Sequence, residues 1–240
     1  MIPELLAIGH VTNDISGNHT TIGGSSSYAA ITASRLGLTA AIVTSAHPDV
    51  ADKLSIDYHL VPSVSTTTFR NVYQAGKRTQ SVETVAHRIG VNDVPAEWRT
   101  TPIVLLAPVA GEIDYEVARI FPKSLVVVLL QGWLRAWNDK GIISPRPWNG
   151  LEVLPYVDAA VVSTEDPVNC REIDIWAHTV PSLIVTNGEN GARLHTRDIW
   201  HKVPAFDAKE IDPTGAGDVF GTAYAARFFE TGDELKSALF

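Results

Sequence analysis

Asp212-Pro213-Thr214-Gly215-Ala216-Gly217-Asp218, running into the apolar stretch Val219 to Phe229, is the segment from which the rest of the chain can be read. Two glycines around an alanine let successive backbone amides converge without side-chain obstruction, and a helix opening there adds its positive end to the same point. The segment therefore reads as an anion hole. Asp218, in the first helical turn beside the anion, is placed to accept a proton from a hydroxyl that attacks a phosphoryl group. A bare Gly-Ala-Gly-Asp also opens ordinary helices in which the acid merely favours the first turn. The surrounding pattern has to decide between the two.

Working outward, short apolar runs recur at Leu5 to Ile8, Ala40 to Val43, Ile103 to Leu106, Leu125 to Leu130, Ala159 to Val162 and Leu183 to Val185. Continuous rather than alternating hydrophobicity marks strands covered on both faces. Helices are expected at Gly24 to Leu36, Glu112 to Phe121 and Gly217 to Glu230. The alternation predicts an α/β, doubly wound, mostly parallel sheet with helices on both faces, whose site lies at the carboxyl ends of the strands. From Ser55 to about Val85, Thr and Val recur without helical period around Gly76, and an antiparallel hairpin outside the sheet, a candidate β lid, is expected. No repeat or linker divides the chain, so residues 1–240 are expected to form a single domain.

Lys and Arg total 19 against 27 for Asp and Glu, a formal charge of -8. No basic footprint for nucleic acid or a membrane surface is present, and a small-molecule partner is the default. Cys170 is the only cysteine, which excludes a disulfide framework and points to the cytoplasm. No run approaches the roughly 20 apolar residues of a membrane span. The chain stops inside a helix-compatible stretch, Asp233 to Phe240, so the carboxyl end is expected to be incomplete.

Three further motifs bear on the choice left open at Asp218. Gly23-Gly24 precedes Ser25-Ser26-Ser27-Tyr28 and opens a helix. Ile8-Gly9-His10-Val11-Thr12-Asn13-Asp14 follows the first strand. Thr186-Asn187-Gly188-Glu189-Asn190-Gly191 follows a later one. Together with the Gly-Ala-Gly-Asp string, these resemble the signatures of the ribokinase and phosphofructokinase-B family of carbohydrate kinases. Pro213 and Tyr28 depart from the family's usual residues, the second being commonly Asn.

The resemblance implies a ribokinase-like fold and an ATP- and Mg2+-dependent transfer of a γ-phosphoryl group to a hydroxyl. Asp218 would be the base, and Gly215, Ala216 and Gly217 the anion hole. Asp14 would bind acceptor hydroxyls, a task for which a carboxylate is suited because it accepts from two neighbours. Gly24 would let the acceptor approach the backbone. Thr186, Gly188, Gly191 and Thr214 would line the nucleotide, and a monovalent cation would bind near Asp212 and Thr214. Ser163-Thr164-Glu165-Asp166 falls where the family shows Asn-x-x-Glu, which makes Asp166 a shortened magnesium-site acid. Gln131-Gly132-Trp133-Leu134-Arg135 is similar to the inositol and nucleoside branch and adds Gln131 and Arg135 to the acceptor side. The acceptor is then a sugar, polyol or nucleoside, and the lid is a candidate homodimer contact.

Other classes fit less well. The spacing from Gly217 to Gly221 does not make a dinucleotide fingerprint, and no Gly-x-x-x-x-Gly-Lys-Ser/Thr string occurs. Cys170 with His178 lacks an orienting acid. The serious alternative is a non-catalytic sugar or nucleotide sensor on the same scaffold.

Overall fold

The computed structural model describes residues 1–74, 77–166, 169–208 and 213–240. In chain order the strands are β1 (Leu5–Ile8), β2 (Thr12–Ser16), β3 (His19–Gly23), β4 (Ala40–Ala46), β5 (Asp57–Pro62), β6 (Thr67–Gln74), β7 (Lys77–Thr84), β8 (Ile103–Leu106), β9 (Leu125–Leu129), β10 (Arg135–Trp137), β11 (Ile143–Pro145), β12 (Ala159–Ser163), β13 (Ser182–Thr186), β14 (Ala192–Thr196) and β15 (Ile199–Val203). The helices are α1 (Ser25–Arg35), α2 (Cys170–Ala177), α3 (Ala216–Thr231) and α4 (Glu234–Ala238).

Nine strands form the main sheet in the order β15-β14-β13-β12-β9-β8-β1-β4-β5. Pairing is parallel from β13 to β5, and the β14–β15 hairpin extends one edge antiparallel. All six apolar runs of the sequence lie in this sheet. The alternation along β1 shows why they read as continuous: Leu5 and Ala7 face one core with Ala29, Ala33 and Tyr224, while Leu6 and Ile8 face another with Trp133 and Trp148. Buried on both faces, the strands have no polar side to betray a period of two. The chain leaves β1 towards β4 on one side and later places β8 on the other. That switch point opens a crevice beyond the carboxyl ends of β1 and β8.

Helices α1 and α3 cover the first face. Gly37, at φ 88, ends α1 as the Leu38 amide donates back to the Ala33 carbonyl at 3.0 Å, and Gly232, at φ 64, ends α3 the same left-handed way. The second face has less helix than expected. Glu112 to Phe121 is not a regular α-helix: only Tyr115–Arg119 forms a 3-10 turn. The physical reason is local, because Glu112 turns its carboxylate onto the Val109 and Ala110 amides at 2.8 to 3.1 Å and Pro122 closes the segment. In place of that helix, aromatic packing fills the layer. Trp133 stacks on Trp148 at 5.3 Å, and Trp148 meets the edge of Trp176 from α2, also at 5.3 Å. Such pairs contribute about 0.5–1.5 kcal/mol beyond their area.

A second sheet of four strands, β3-β2-β6-β7, stands over the crevice. The β6–β7 hairpin matches the antiparallel unit read from Thr67 onward, whereas Asp57–Pro62 is β5 and pairs parallel with β4 in the main sheet. Gly76, the expected tip, is outside the described residues. The β2–β3 hairpin joins the same sheet, β2 running parallel to β6. Phe69 and Val82 seat it on Val109 and Ala110 beyond β8.

Candidate active site

Two helix starts meet above the crevice. Gly24 precedes α1 at φ 94, ψ 138, and a Cβ there would lie 2.2 Å from the His10 carbonyl oxygen, so only glycine lets the chain pass. Gly215 precedes α3 in the left-handed region at φ 81, with the Tyr28 ring 2.8 Å from where its Cβ would be. The Ala216 amide donates to the Pro213 carbonyl at 3.1 Å. Helix geometry leaves the next amides, of Gly217 and Asp218, without intrahelical acceptors. A Cβ on Gly217 would meet no atom of the described residues within 4 Å, so none of them obstructs a group approaching this helix start.

Asp218 stands in that first turn. Part of its side chain reaches solvent, yet protein surrounds the carboxyl closely enough for desolvation to raise its pKa to about 6. A hydrogen bond from Ser25 at the start of α1 and the positive charge of Arg135 oppose the rise, and the neighbouring Asp166 adds to it. Asp166 is itself buried, which raises its pKa. It accepts from the Ser163 amide at 3.0 Å, and Arg135 and a hydrogen bond from Gln131 stabilise its charge. Gln131, Arg135, Asp166 and Asp218, four residues spread over 88 positions of sequence, thus share one electrostatic cluster. Arg135 also donates to Gln80 of β7 at 3.3 Å, and Gln80 donates to Asn71 of β6 at 3.1 Å. The cluster is tied to the second sheet.

Asp14 belongs to β2 of that sheet, not to a loop after β1 as its sequence position suggested. It nonetheless reaches the helix start: its Oδ2 lies 2.3 Å from where a Cβ on Gly23 would be, and its Oδ1 accepts from Thr12 at 2.9 Å. Glu112, which the sequence gave no reason to choose, is buried and accepts from the His10 amide at 2.9 Å as well as from Val109 and Ala110. It fixes the loops that follow β1 and β8.

On the other side, the loop after β12 is bonded to the loop after β13. The Thr164 amide donates to the Thr186 carbonyl at 2.9 Å, and Thr164 Oγ1 donates to Asn187 Oδ1 at 3.0 Å. Gly191, at φ 84, passes where a Cβ would lie 2.2 Å from the Val203 carbonyl oxygen. The last two strands beside it border an open cleft of about 770 Å³, whose lining includes Asn187, Arg193, His201 and Lys202. Asp166, one loop away, links this cleft to Asp218. Asp212 is outside the described residues, and Thr214 lies half-buried just before Gly215.

Comparison with known proteins bears on this arrangement. No protein-family model matches the chain. Fructokinase-1 of Zea mays is 35% identical over 103 residues, 43% of this chain and 29% of that protein. The ribokinase of Lactococcus lactis is 34% identical over 130 residues, 51% of this chain and 39% of that protein. Matches to the curated relatives therefore span well under half of their length. Among solved structures, a pyrophosphate-dependent kinase in the ribokinase family, complexed with a pyrophosphate analog and myo-inositol, superposes with a TM-score of 0.82 at 20% identity, covering 98% of this chain and 91% of that one. The chain has the ribokinase fold and is related to that family. The nucleoside kinase of Methanocaldococcus jannaschii, another member of the ribokinase family, superposes with a TM-score of 0.78 over 98% of this chain and 88% of its own, at 18% identity.

Against the ribokinase fold, the residues picked from sequence separate into two sides of one crevice. Gly24, Gln131 and Arg135 lie on the side of Asp218 next to the second sheet, to which Asp14 itself belongs, whereas Thr186, Gly188 and Gly191 are chain neighbours of Asn187, Glu189 and Asn190, which line the open cleft. Ser25 and Gln80 were missed. Ser25 was legible as the first helical residue after Gly-Gly, whereas nothing local marks Gln80, whose partner is 55 residues away.

Proposed function

We propose that the chain is a carbohydrate kinase that transfers the γ-phosphoryl group of ATP to a hydroxyl of a sugar, polyol or nucleoside. The observation that carries this reading is the placement of Asp218. It is a carboxylate with pKa raised to about 6, at the open start of α3, between an acceptor side with Asp14 and Gly24 and a cleft lined by Arg193 and Lys202. A base of that pKa is ionised at neutral pH, yet proton uptake from an alcohol costs it less than it would cost an ordinary aspartate.

In this mechanism Asp14 and the backbone at Gly24 orient the acceptor, and Asp218 takes the proton of the attacking hydroxyl. The new O–P bond forms as the bridging P–O bond to the leaving phosphate breaks. Gly215 and the amides of Gly217 and Asp218 receive the charge on the transferring group, the role first assigned to Gly215, Ala216 and Gly217 together. Thr186, Gly188 and Gly191 leave backbone close to the nucleotide, and Arg135 holds charge balance between Asp166 and Asp218. The chemistry of the donor set fits a bound Mg2+: Asp166 would hold it, and the ion would neutralise phosphate charge. Thr214 is the described residue of the proposed monovalent-cation site. The second sheet acts as a lid that excludes water. A homodimer through this lid is part of the proposal. Its open edge is β3, since β7 is already bridged to Ile142 through Ser81.

A coupled assay of ADP release across pentoses, hexoses, inositols and nucleosides tests the reading. One acceptor class is expected to raise release well above hydrolysis. Because one structural relative is named as pyrophosphate-dependent, the screen carries a second arm with pyrophosphate as donor and phosphate release as readout. Acceptors that bind without stimulating either arm would favour the sensor reading.

A further inference from the structure

Away from the crevice, His178, His195 and Asp198 each place one ligand atom so that all three lie within 4.8 Å of one another. The residues come from separate elements. His178 is the residue that ends α2, His195 is in β14, and Asp198 is in the two-residue turn between β14 and β15. Within that turn Arg197 and Asp198 sit at φ 51 and φ 61, the paired left-handed conformation of a tight hairpin, which Asp tolerates better than most residues. The cluster is at the opposite end of the strands from the candidate active site. His195 pairs with Leu183 near the beginning of β13, while Thr186 ends that strand at the cleft.

The two imidazoles are prepared differently, and both ways favour a ligand. His178 Nδ1 lies 2.7 Å from the Asp174 carbonyl. A carbonyl only accepts, so Nδ1 carries the hydrogen and Nε2 of the neutral ring keeps its lone pair. Histidines that ligate metals are oriented by the same second contact, a ring N–H given to a backbone carbonyl or a carboxylate. His195 is 4% exposed, and its Nδ1 is buried with no hydrogen-bond partner among the described residues. An orphaned buried nitrogen is an unfavourable feature that needs a reason. The rings stand 5.5 Å apart at 48°, and the Trp200 ring lies 5.0 Å from that of His195.

We propose that His178, His195 and Asp198 form a divalent transition-metal site of the Zn2+ class. Two neutral imidazoles and one carboxylate select a borderline ion over Mg2+ or Ca2+, which take oxygen ligands, and they leave one tetrahedral position for water. The ion would clip the end of α2 to the β14–β15 turn, joining a helix to the edge hairpin that borders the 770 Å³ cleft.

The test uses the full chain, stripped of metal and titrated with Zn2+ against a chromophoric chelator, with Co2+ as a spectroscopic substitute. One equivalent is expected to bind. The Co2+ form should show ligand-field absorption without a thiolate charge-transfer band, which separates the site from exposed Cys170. His178→Ala and Asp198→Asn, both at exposed positions, should each weaken Zn2+ binding at least tenfold and abolish the several-degree rise in Tm that Zn2+ gives the parent. His195→Ala is left out of the decision because it opens a buried space. Zn2+ affinity unchanged in both exposed variants, a thiolate band with Co2+, or no binding at 100 µM metal would each overturn the proposal.

Discussion

If Asp218 is the base, lowering the pH should remove catalysis by protonating one identified carboxyl. The folded pKa is about 6, raised from the usual aspartate range, so the active ionised form is lost as pH falls through 6. At pH 5 about one-tenth of the molecules keep the carboxylate, and kcat/KM should be roughly one-tenth of its value at pH 8. An unperturbed aspartate, with a pKa of about 3.9, would lose less than about 10% over the same interval. The structure also says what moves the midpoint. Ser25 donates to the ionised form, and a hydrogen bond to a charged group is worth about 1.5–3 kcal/mol when buried. Discounted for the exposed part of Asp218, Ser25→Ala should shift the acid limb upward by about one pH unit. Removing Arg135 should shift it in the same direction. The assay is the coupled kinase assay from pH 4.5 to 8.5, with the coupling enzymes shown not to limit. A flat profile down to pH 5, or a Ser25→Ala limb that stays in place or moves downward, would refute the reasoning.

Three further outcomes follow from the geometry. Gly24→Ala forces a Cβ to within 2.2 Å of the His10 carbonyl at a φ that L residues rarely adopt, so chemical denaturation should show a loss of about 2–3 kcal/mol or more. Asp14→Ala should raise the acceptor KM tenfold or more and leave the ATP KM within about twofold, as titration of each substrate will show. Gln80→Ala cuts the bond between the lid and Arg135, and the ratio of ADP released without acceptor to ADP released with it should rise.

The central sheet was readable because strands buried on both faces are short unbroken apolar runs, and β1, β8 and β9 begin where those runs begin. The helix starts at Gly24 and Gly215 were readable because glycine there answers a backbone need. The lid was only partly visible. Its β2–β3 hairpin is rich in Thr and polar residues, and its place beside β6 depends on pairing across more than 50 residues. Helix α2 went unread even though Asn169 and Glu172 form a capping box and Ile173, Trp176 and Ala177 share an apolar face, because eight residues carry too few periodic positions to stand out. Conversely, Glu112 to Phe121 carried helical composition, but the Glu112 carboxylate binds its own upstream loop. At the candidate site, Asp166 and Asp218 were picked by motif, while the Ser25 and Arg135 interactions that tune their charge are products of tertiary structure.

Asp218 also bears on stability. Its pKa is about 6 when folded and near 3.9 unfolded, so the folded state binds the proton more tightly, and ionisation between pH 4 and 6 costs stability rather than adding it. Asp218→Asn should therefore fold at least as stably as the parent at pH 7, by up to about 1–2 kcal/mol after allowance for partial exposure. That makes it a clean variant for the decisive measurement: steady-state turnover and nucleotide affinity of folded Asp218→Asn beside the parent, with the acceptor found in the screen. The account predicts a kcat lower by about 10² to 10⁴-fold, with nucleotide Kd within about twofold. Turnover by Asp218→Asn at the parent's rate would contradict it.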